Sequence, residues 1–430
     1  MIKNDTYIKY KFTDNNRFNI YLKIYLTSLF FFALIFLFDK RNVGVDSTIN
    51  EWIINYQGGF TRRGLTGELF FYLSKYFNIG LRPVIFTFQI IIYFIFINLI
   101  FKYLKNIKIN LLLIFAIFTP IFLLYPVAEV EVLARKETLL FIGFLYFLIL
   151  HEKDNNYSII FASIFCPIML FIWEPSIFFY GYFVSAVLVK EKNFNKELLL
   201  KILLICIPIA VIFVFIITNL LPHNNWLIMK SSLLQNFNEQ CLGACSLLGT
   251  KISIYEQFRM TIGEINIEAI FRYFLIFLIG FMPLLLLIGY SKLAHRVKIY
   301  SYIGKIYIIF SLNFIPVIVL FLSASDWGRW VNISYTFALL FYLYLYKNNF
   351  INLNIPNGFV KYFNNKKKLL YLLFFIFAFM WNPKTAITGD IATNPIYKIP
   401  YKGIKIVFEI DSIRLFEDNP IIIFHKKYIE

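Results

Sequence analysis

The chain has 430 residues, of which 59% are hydrophobic, 20% aromatic and only 16% charged. A soluble domain of this length is far more polar, so the composition describes a polytopic membrane protein, an all-α bundle of transmembrane helices. The formal charge of +17 would suit nucleic acid, but most of the lysines sit in short loops between apolar runs, where they orient a protein in the bilayer; no nucleic-acid partner is expected.

In chain order, apolar runs of about 15 to 21 residues, enough to cross a ~30 Å hydrocarbon core or nearly so, fall at 21–38, 83–101, 111–125, 137–150, 157–173, 175–189, 198–219, 269–287, 306–322, 331–346 and 368–381. They predict about eleven spans. The first ends in Asp39-Lys40-Arg41 with no small-residue cleavage site, so it reads as a retained span and not as a signal peptide. The fifth and sixth form one stretch broken at "WEPS", where Glu174-Pro175 predicts a tight hairpin at a membrane surface.

Orientation follows from the short loops. "KYLKNIK", "KEKNFNKELLLK", "SKLAHRVKIYSYIGK" and the lysines at 366–368 share the side of the N-terminus and are poor in acid, which makes that side cytoplasmic. Residues 1–381 then form the transmembrane domain, with extracytoplasmic loops at 39–82, 126–136 and 220–268. The tail, 382–430, lies outside, and its alternation in "GIKIVFEI" and "NPIIIF" predicts a small strand pair. Of the chain's arginines only Arg17 and Arg296 fall inside. Positive-inside sorting predicts the opposite, so something outside requires guanidinium groups.

Four short stretches share that outer face. The first loop holds "NYQGGFTRRGLTGE", preceded by Asp46 and Glu51, with Tyr56, Gln57, Arg62 and Arg63. "YPVAEVEVLARKE" holds Glu129, Glu131, Arg135, Lys136 and Glu137. "WEPS" holds Trp173 and Glu174, and "SASDWGRW" holds Asp326, Trp327, Arg329 and Trp330. Arginine suits phosphate because its planar fork donates two parallel hydrogen bonds and keeps its charge. The glycines at 58, 59, 64 and 67 would let backbone approach such a group closely. "GGFTRRG" lacks the ending of a nucleotide-binding loop. Carboxylates beside the arginines could deprotonate a sugar hydroxyl.

Plainer readings stand beside these. Arg62 and Arg63 also suit anionic lipid headgroups, and Arg135-Lys136 at a span edge can snorkel. Glu137 and Glu174 border apolar runs, where an ionisable group is functional or paired. Asp326 and Arg329 can satisfy one another across one helical turn. Trp327 and Trp330 offer platforms for sugar rings or anchor the spans as belt residues. Cys241 and Cys245, in "NEQCLGACSL", could form a disulfide if the loop is external, but only across a turn, which Gly243 permits. The four histidines are isolated from other ligand types, so no metal is expected and no cofactor is implied.

At "GGFTRRG", "ARKE" with the later "WEP", and "DWGRW", the chain resembles bacterial membrane proteins of surface-polysaccharide assembly. These are the O-antigen and capsule polymerases and the wider group of multi-spanning glycosyltransferases that use polyprenyl-linked sugars. The resemblance implies an enzyme of a bacterial inner membrane, active at its outer face. Its substrate would be a polyprenyl-linked glycan, and other polysaccharide-assembly proteins would be its partners. It implies that Arg62, Arg63, Arg135 and Lys136, with Arg329, hold the lipid pyrophosphate, flanked by Tyr56, Gln57 and Trp327. It implies an acid base drawn, in order, from Glu174, Glu137, Asp326 and Glu51. Two features depart from that pattern: Asp46 and Glu51 are not adjacent, and no late external loop is rich in arginine. The rival class is a transporter or lipid flippase, for which charges near the bilayer midplane and inverted repeats would be expected.

Overall fold

The computed structural model describes residues 15–42, 47–105, 107–191, 195–249, 254–294, 297, 305–356, 366–389 and 394–408. Asp46 and the second half of the tail lie outside them. The principal helices are α1 (Asn15–Lys40), α2 (Leu65–Phe77), α3 (Leu81–Leu104), α4 (Leu111–Phe118), α5 (Glu137–Lys153), α6 (Asn155–Ile172), α7 (Gly181–Lys190) and α8 (Lys196–Thr218). They continue as α9 (His223–Phe237), α10 (Ile254–Glu264), α11 (Ile267–Gly289), α12 (Ile306–Ser323), α13 (Trp327–Lys347), α14 (Lys367–Phe379) and α15 (Pro395–Val407).

Polar caps set several of the starts. Asn110, Asn195 and Asn266 each accept a hydrogen bond from the backbone N–H three residues on, and Asp154 accepts from Asn156 and Tyr157. Each cap satisfies donors that a helix otherwise leaves open. Among the described residues, six helices (α1, α3, α6, α8, α11 and α12) are long and apolar enough to cross a membrane.

Two of the other expected spans differ from simple crossings. The run at 111–125 yields only the eight-residue α4 before the chain turns, and eight residues rise about 12 Å. Backbone that leaves a helix in an apolar interior must find partners within the protein. Helix α13 provides them: Asn332 Nδ2 donates to the carbonyls of Ile121 and Phe122 at 2.8 and 2.9 Å, and Tyr335 donates to that of Ala116 at 2.7 Å. The run at 175–189 divides into a 3₁₀ turn, Glu174–Phe179, and α7.

Helix α13 is the centre of the bundle, buried from Gly328 to Leu345. Its Phe337 packs on Phe144, Phe179 and Tyr182, and Tyr335 on Phe281. Strand β1 (Ser291–Leu293), after α11, pairs antiparallel with β2 (Ile351–Leu353), after α13. The tail begins as helix, not strand: residues 395–407 form α15, so the "GIKIV" of the expected strand is helical. Asn394 and Pro395 start it, and a helical apolar face covers α1 where an alternating strand would bury every second residue.

Candidate functional site

Glu51 follows the short helix Ser47–Asn50 and is fully buried. Three guanidiniums reach it: Arg135 Nε at 2.9 Å, Arg63 Nη1 at 3.3 Å and Arg329 Nη2 at 3.4 Å. Arg63 also donates Nε and Nη2 to the two oxygens of Glu174, both at 2.7 Å. Arg329 does the same to Glu137, at 2.9 and 2.6 Å. Arg62 Nη1 lies 3.7 Å from Glu174, and Arg329 Nη1 lies 3.6 Å from Asp326. Lys136 Nζ donates to the Arg63 carbonyl at 2.7 Å and sits over the Trp52 ring. The four sequence stretches thus meet in one network of four carboxylates and five cations.

Local backbone aims these groups. Among the described non-glycine residues, positive φ occurs at Arg63, Ala134 and three asparagines. Asn78 and Asn238 end helices in the usual left-handed way. Arg63 (φ 66) and Ala134 (φ 49), which precedes Arg135, have no such excuse. A left-handed alanine or arginine costs about 1–2 kcal/mol and persists only where surroundings enforce it. At Ala134 they do: its carbonyl accepts from Trp52 Nε1 and Gln89 Nε2.

The glycines serve packing. A Cβ at Gly58 would lie 1.9 Å from the Asn225 carbonyl oxygen of α9, and one at Gly67 1.9 Å from that of Ile54. Protein backbone already fills the approach that was expected for a phosphate. Tyr56 and Gln57 are turned to Glu68, which accepts from the Tyr56 N–H at 2.7 Å and from Gln57 Nε2 at 2.8 Å. Trp327 donates to the Phe321 carbonyl and packs on Tyr273. These three do not border the cavity described next.

That cavity, of about 590 Å³, opens beside the network. Its lining combines Arg62, Arg63, Arg135, Glu174, Asp326 and Arg329 with the apolar Phe178, Phe213, Ile217, Val319 and Leu320. Gly243 and Ala244 close part of it from a loop in which Cys241 and Cys245 are joined by a disulfide. The buried disulfide packs with Trp52, Met229 and Leu233, so the cross-link holds that wall against the segment that carries Glu51.

Ionisation follows from the pairing. Burial pushes the Glu51 carboxyl up, but Arg135, Arg329, Arg63 and Lys136 outweigh it and hold the group well below the ordinary carboxylate range. Burial likewise opposes Glu174, and Arg63, by charge and hydrogen bond, with Arg62 behind it, holds that pKa down. Burial pulls Lys136 down to about 7 despite Glu51. Glu51 and Glu174 are therefore poor proton acceptors, being ionised and committed to guanidiniums.

Two groups retain free capacity. Asp326 has a side chain 40% exposed and one distant cation. Arg62 is 42% exposed and faces a Glu174 whose oxygens Arg63 already occupies. Glu131, from the second stretch, also borders the cavity, exposed and without an ion pair among the described residues. Its role was not legible from sequence, because nothing in "AEVEV" separates it from Glu129. Glu129 instead binds Lys398 at 2.7 Å and Lys384 at 3.6 Å, which fastens the tail.

The fold and site define a helical integral membrane protein with a buried ion network beside an amphiphilic cavity. No protein-family model, no curated protein and no solved structure matches the chain.

Proposed function

We propose that the protein is a membrane glycosyltransferase or polysaccharide polymerase that uses polyprenyl-(pyro)phosphate-linked sugars at the outer face of a bacterial inner membrane. The observation that carries this reading is the mixed lining of the cavity. It combines Arg62 and exposed carboxylates with the apolar Phe178, Phe213, Ile217, Val319 and Leu320, contributed by α8, α12 and the turn after Trp173. A ligand matched to both is an anion on a hydrocarbon chain.

In this reading Arg62 binds the pyrophosphate, and Arg329 lends positive potential as the sugar–phosphate bond breaks and charge builds on the leaving oxygens. Asp326, not the clamped Glu174, Glu137 or Glu51, removes the proton from the acceptor hydroxyl, so that oxygen attacks the anomeric carbon. Arg63 and Arg135 hold the carboxylates in place. The Cys241–Cys245 disulfide supports an extracytoplasmic position for the cavity wall, since disulfides persist in oxidising compartments.

The test is transfer from a synthetic polyprenyl-pyrophosphoryl sugar by purified protein in lipid. Asp326→Asn should abolish transfer while donor binding remains, and Arg62→Ala should weaken donor binding. Undiminished transfer by both variants would defeat the assignment.

A further inference from the structure

A second void adjoins the charged cavity. It holds about 530 Å³ and is bordered by Ile177, Gly181, Cys206, Ala210, Val214 and Leu312, with Phe213 common to both. Helices α8 and α12 each pack against the 3₁₀ turn Glu174–Phe179 and against α7, and the void lies where these four elements meet. Val214 and Leu312 are 53% and 55% exposed. Both helices are long and apolar enough to cross a membrane, and in a span an exposed apolar side chain faces lipid. The void is therefore a groove open to the bilayer.

Depth separates the two sites. The groove takes Cys206, Ala210 and Val214 from the middle stretch of α8, and Leu312 and Asn313 from that of α12. The charged cavity takes Ile217, Val319, Leu320 and Ser323, nearer the C-terminal ends of the same helices. From Cys206 to Ile217 the helix rises about 16 Å, roughly half of a ~30 Å hydrocarbon core. No charged side chain borders the groove among the described residues. Its polar donors are engaged within the protein: Asn313 Nδ2 donates to Ser185 Oγ at 2.9 Å and to the Ile309 carbonyl at 2.8 Å, and Tyr180 donates to the Cys166 carbonyl at 2.6 Å. A polar ligand would lose its water there for few new hydrogen bonds, whereas a hydrocarbon chain has none to lose.

We propose that this groove seats the hydrocarbon chain of a diphosphate lipid whose charged head binds at Arg62, and that the lipid enters sideways from the bilayer between α8 and α12. This rests on the functional reading above and deepens it. Phe213 marks the junction of head site and tail site. Each helix brings its groove residues before its cavity residues, so the two run the same way, from apolar groove to charged cavity. Apolar and charged linings follow one another at the depths where a bilayer holds the tail and the head of one lipid.

The test uses the full chain in lipid nanodiscs and farnesyl diphosphate that carries a diazirine on its terminal isoprene. On irradiation of wild-type protein the label should attach to α8 between Cys206 and Val214 or to Leu312, and unlabelled farnesyl diphosphate should displace it, a readout that does not depend on any variant folding. Ala210→Trp fills the groove from an exposed position. It should weaken farnesyl diphosphate about tenfold, the size of an overpacking penalty, and leave the affinity for inorganic diphosphate unchanged. Labelling that farnesol displaces as well as farnesyl diphosphate does would make the groove a seat for any bilayer chain and overturn its link to the head site. Farnesyl diphosphate binding that Arg62→Ala weakens, with the label elsewhere and Ala210→Trp without effect, would overturn the groove and leave the functional reading intact. No binding of either diphosphate by wild type would overturn both.

Discussion

Arg63 closes two 2.7 Å hydrogen bonds on Glu174 from 111 positions away in the chain. The contact joins the glycine-rich first loop to the break between α6 and the following 3₁₀ turn, and it uses most of the donor fork of Arg63 and both oxygens of Glu174. A guanidinium so engaged is a beam in the site, and its neighbour Arg62 is the cation with capacity to spare. The adjacent arginines of "TRRG" therefore have different work.

Their substitutions should separate. Arg63→Ala leaves Glu174 and Glu51 without their shared cation, and breaking a buried pair from one side typically costs about 3–5 kcal/mol. We expect a large fall in thermal stability in detergent. Arg62→Ala should leave the melting temperature near wild type and weaken ligand binding. Equal melting temperatures for the two variants would contradict the division.

Glu51 is the hub of the network, with guanidiniums from three stretches on one carboxylate. Glu51→Gln removes the charge with little change in shape. The uncompensated arginines should cost roughly 3–5 kcal/mol, seen as a lower melting temperature and protease sensitivity at the 39–82 loop.

How much of this was legible beforehand varies with the physics. The helical membrane class followed from composition, because long apolar runs have few other stable solutions. Part of the network was also legible: Glu137 and Glu174 border apolar runs, where a carboxylate is expensive unless functional or paired, and both are paired; Arg63 and Arg135 were expected to hold an anion and are instead bound to glutamates. Which pairs with which was not, since the partners lie as far as 278 positions apart, as Arg329 and Glu51 do. The glycines misled for a related reason. A glycine signals close approach of something, and at Gly58 that is α9. The eleven-span expectation treated every apolar run alike, whereas the run that became α4 is sheltered by α13 and can break. Tyr56, Gln57 and Trp327 entered by proximity in sequence, but Glu68, the Phe321 carbonyl and Tyr273 hold them.

Lys136 gives a pH signature. Its pKa falls from an ordinary 10.5 to about 7 on burial, so between those values the unfolded chain binds more protons than the folded one. Stability from this group is therefore greatest above the unfolded value, and is lost as pH falls through about 7. Wild type should gain stability relative to Lys136→Met as pH is raised from about 6 to about 9. Parallel melting curves across that range would contradict the assignment.

The disulfide predicts a chemical result. Cys241 and Cys245 should resist alkylation in intact membranes until a reductant is added. Cys241→Ser should loosen the Gly243–Ala244 wall and weaken ligand binding more than it lowers stability. Free thiols at both positions in unreduced membranes would contradict both the pairing and the extracytoplasmic placement.

The most direct test is the lipid-linked and surface glycan profile of the source cell with the gene deleted, then restored as wild type or as Asp326→Asn. The account predicts that deletion collapses long chains or removes one sugar, that wild type restores the profile, and that Asp326→Asn, though expressed and stable, does not. A glycan profile unchanged by deletion would contradict the account.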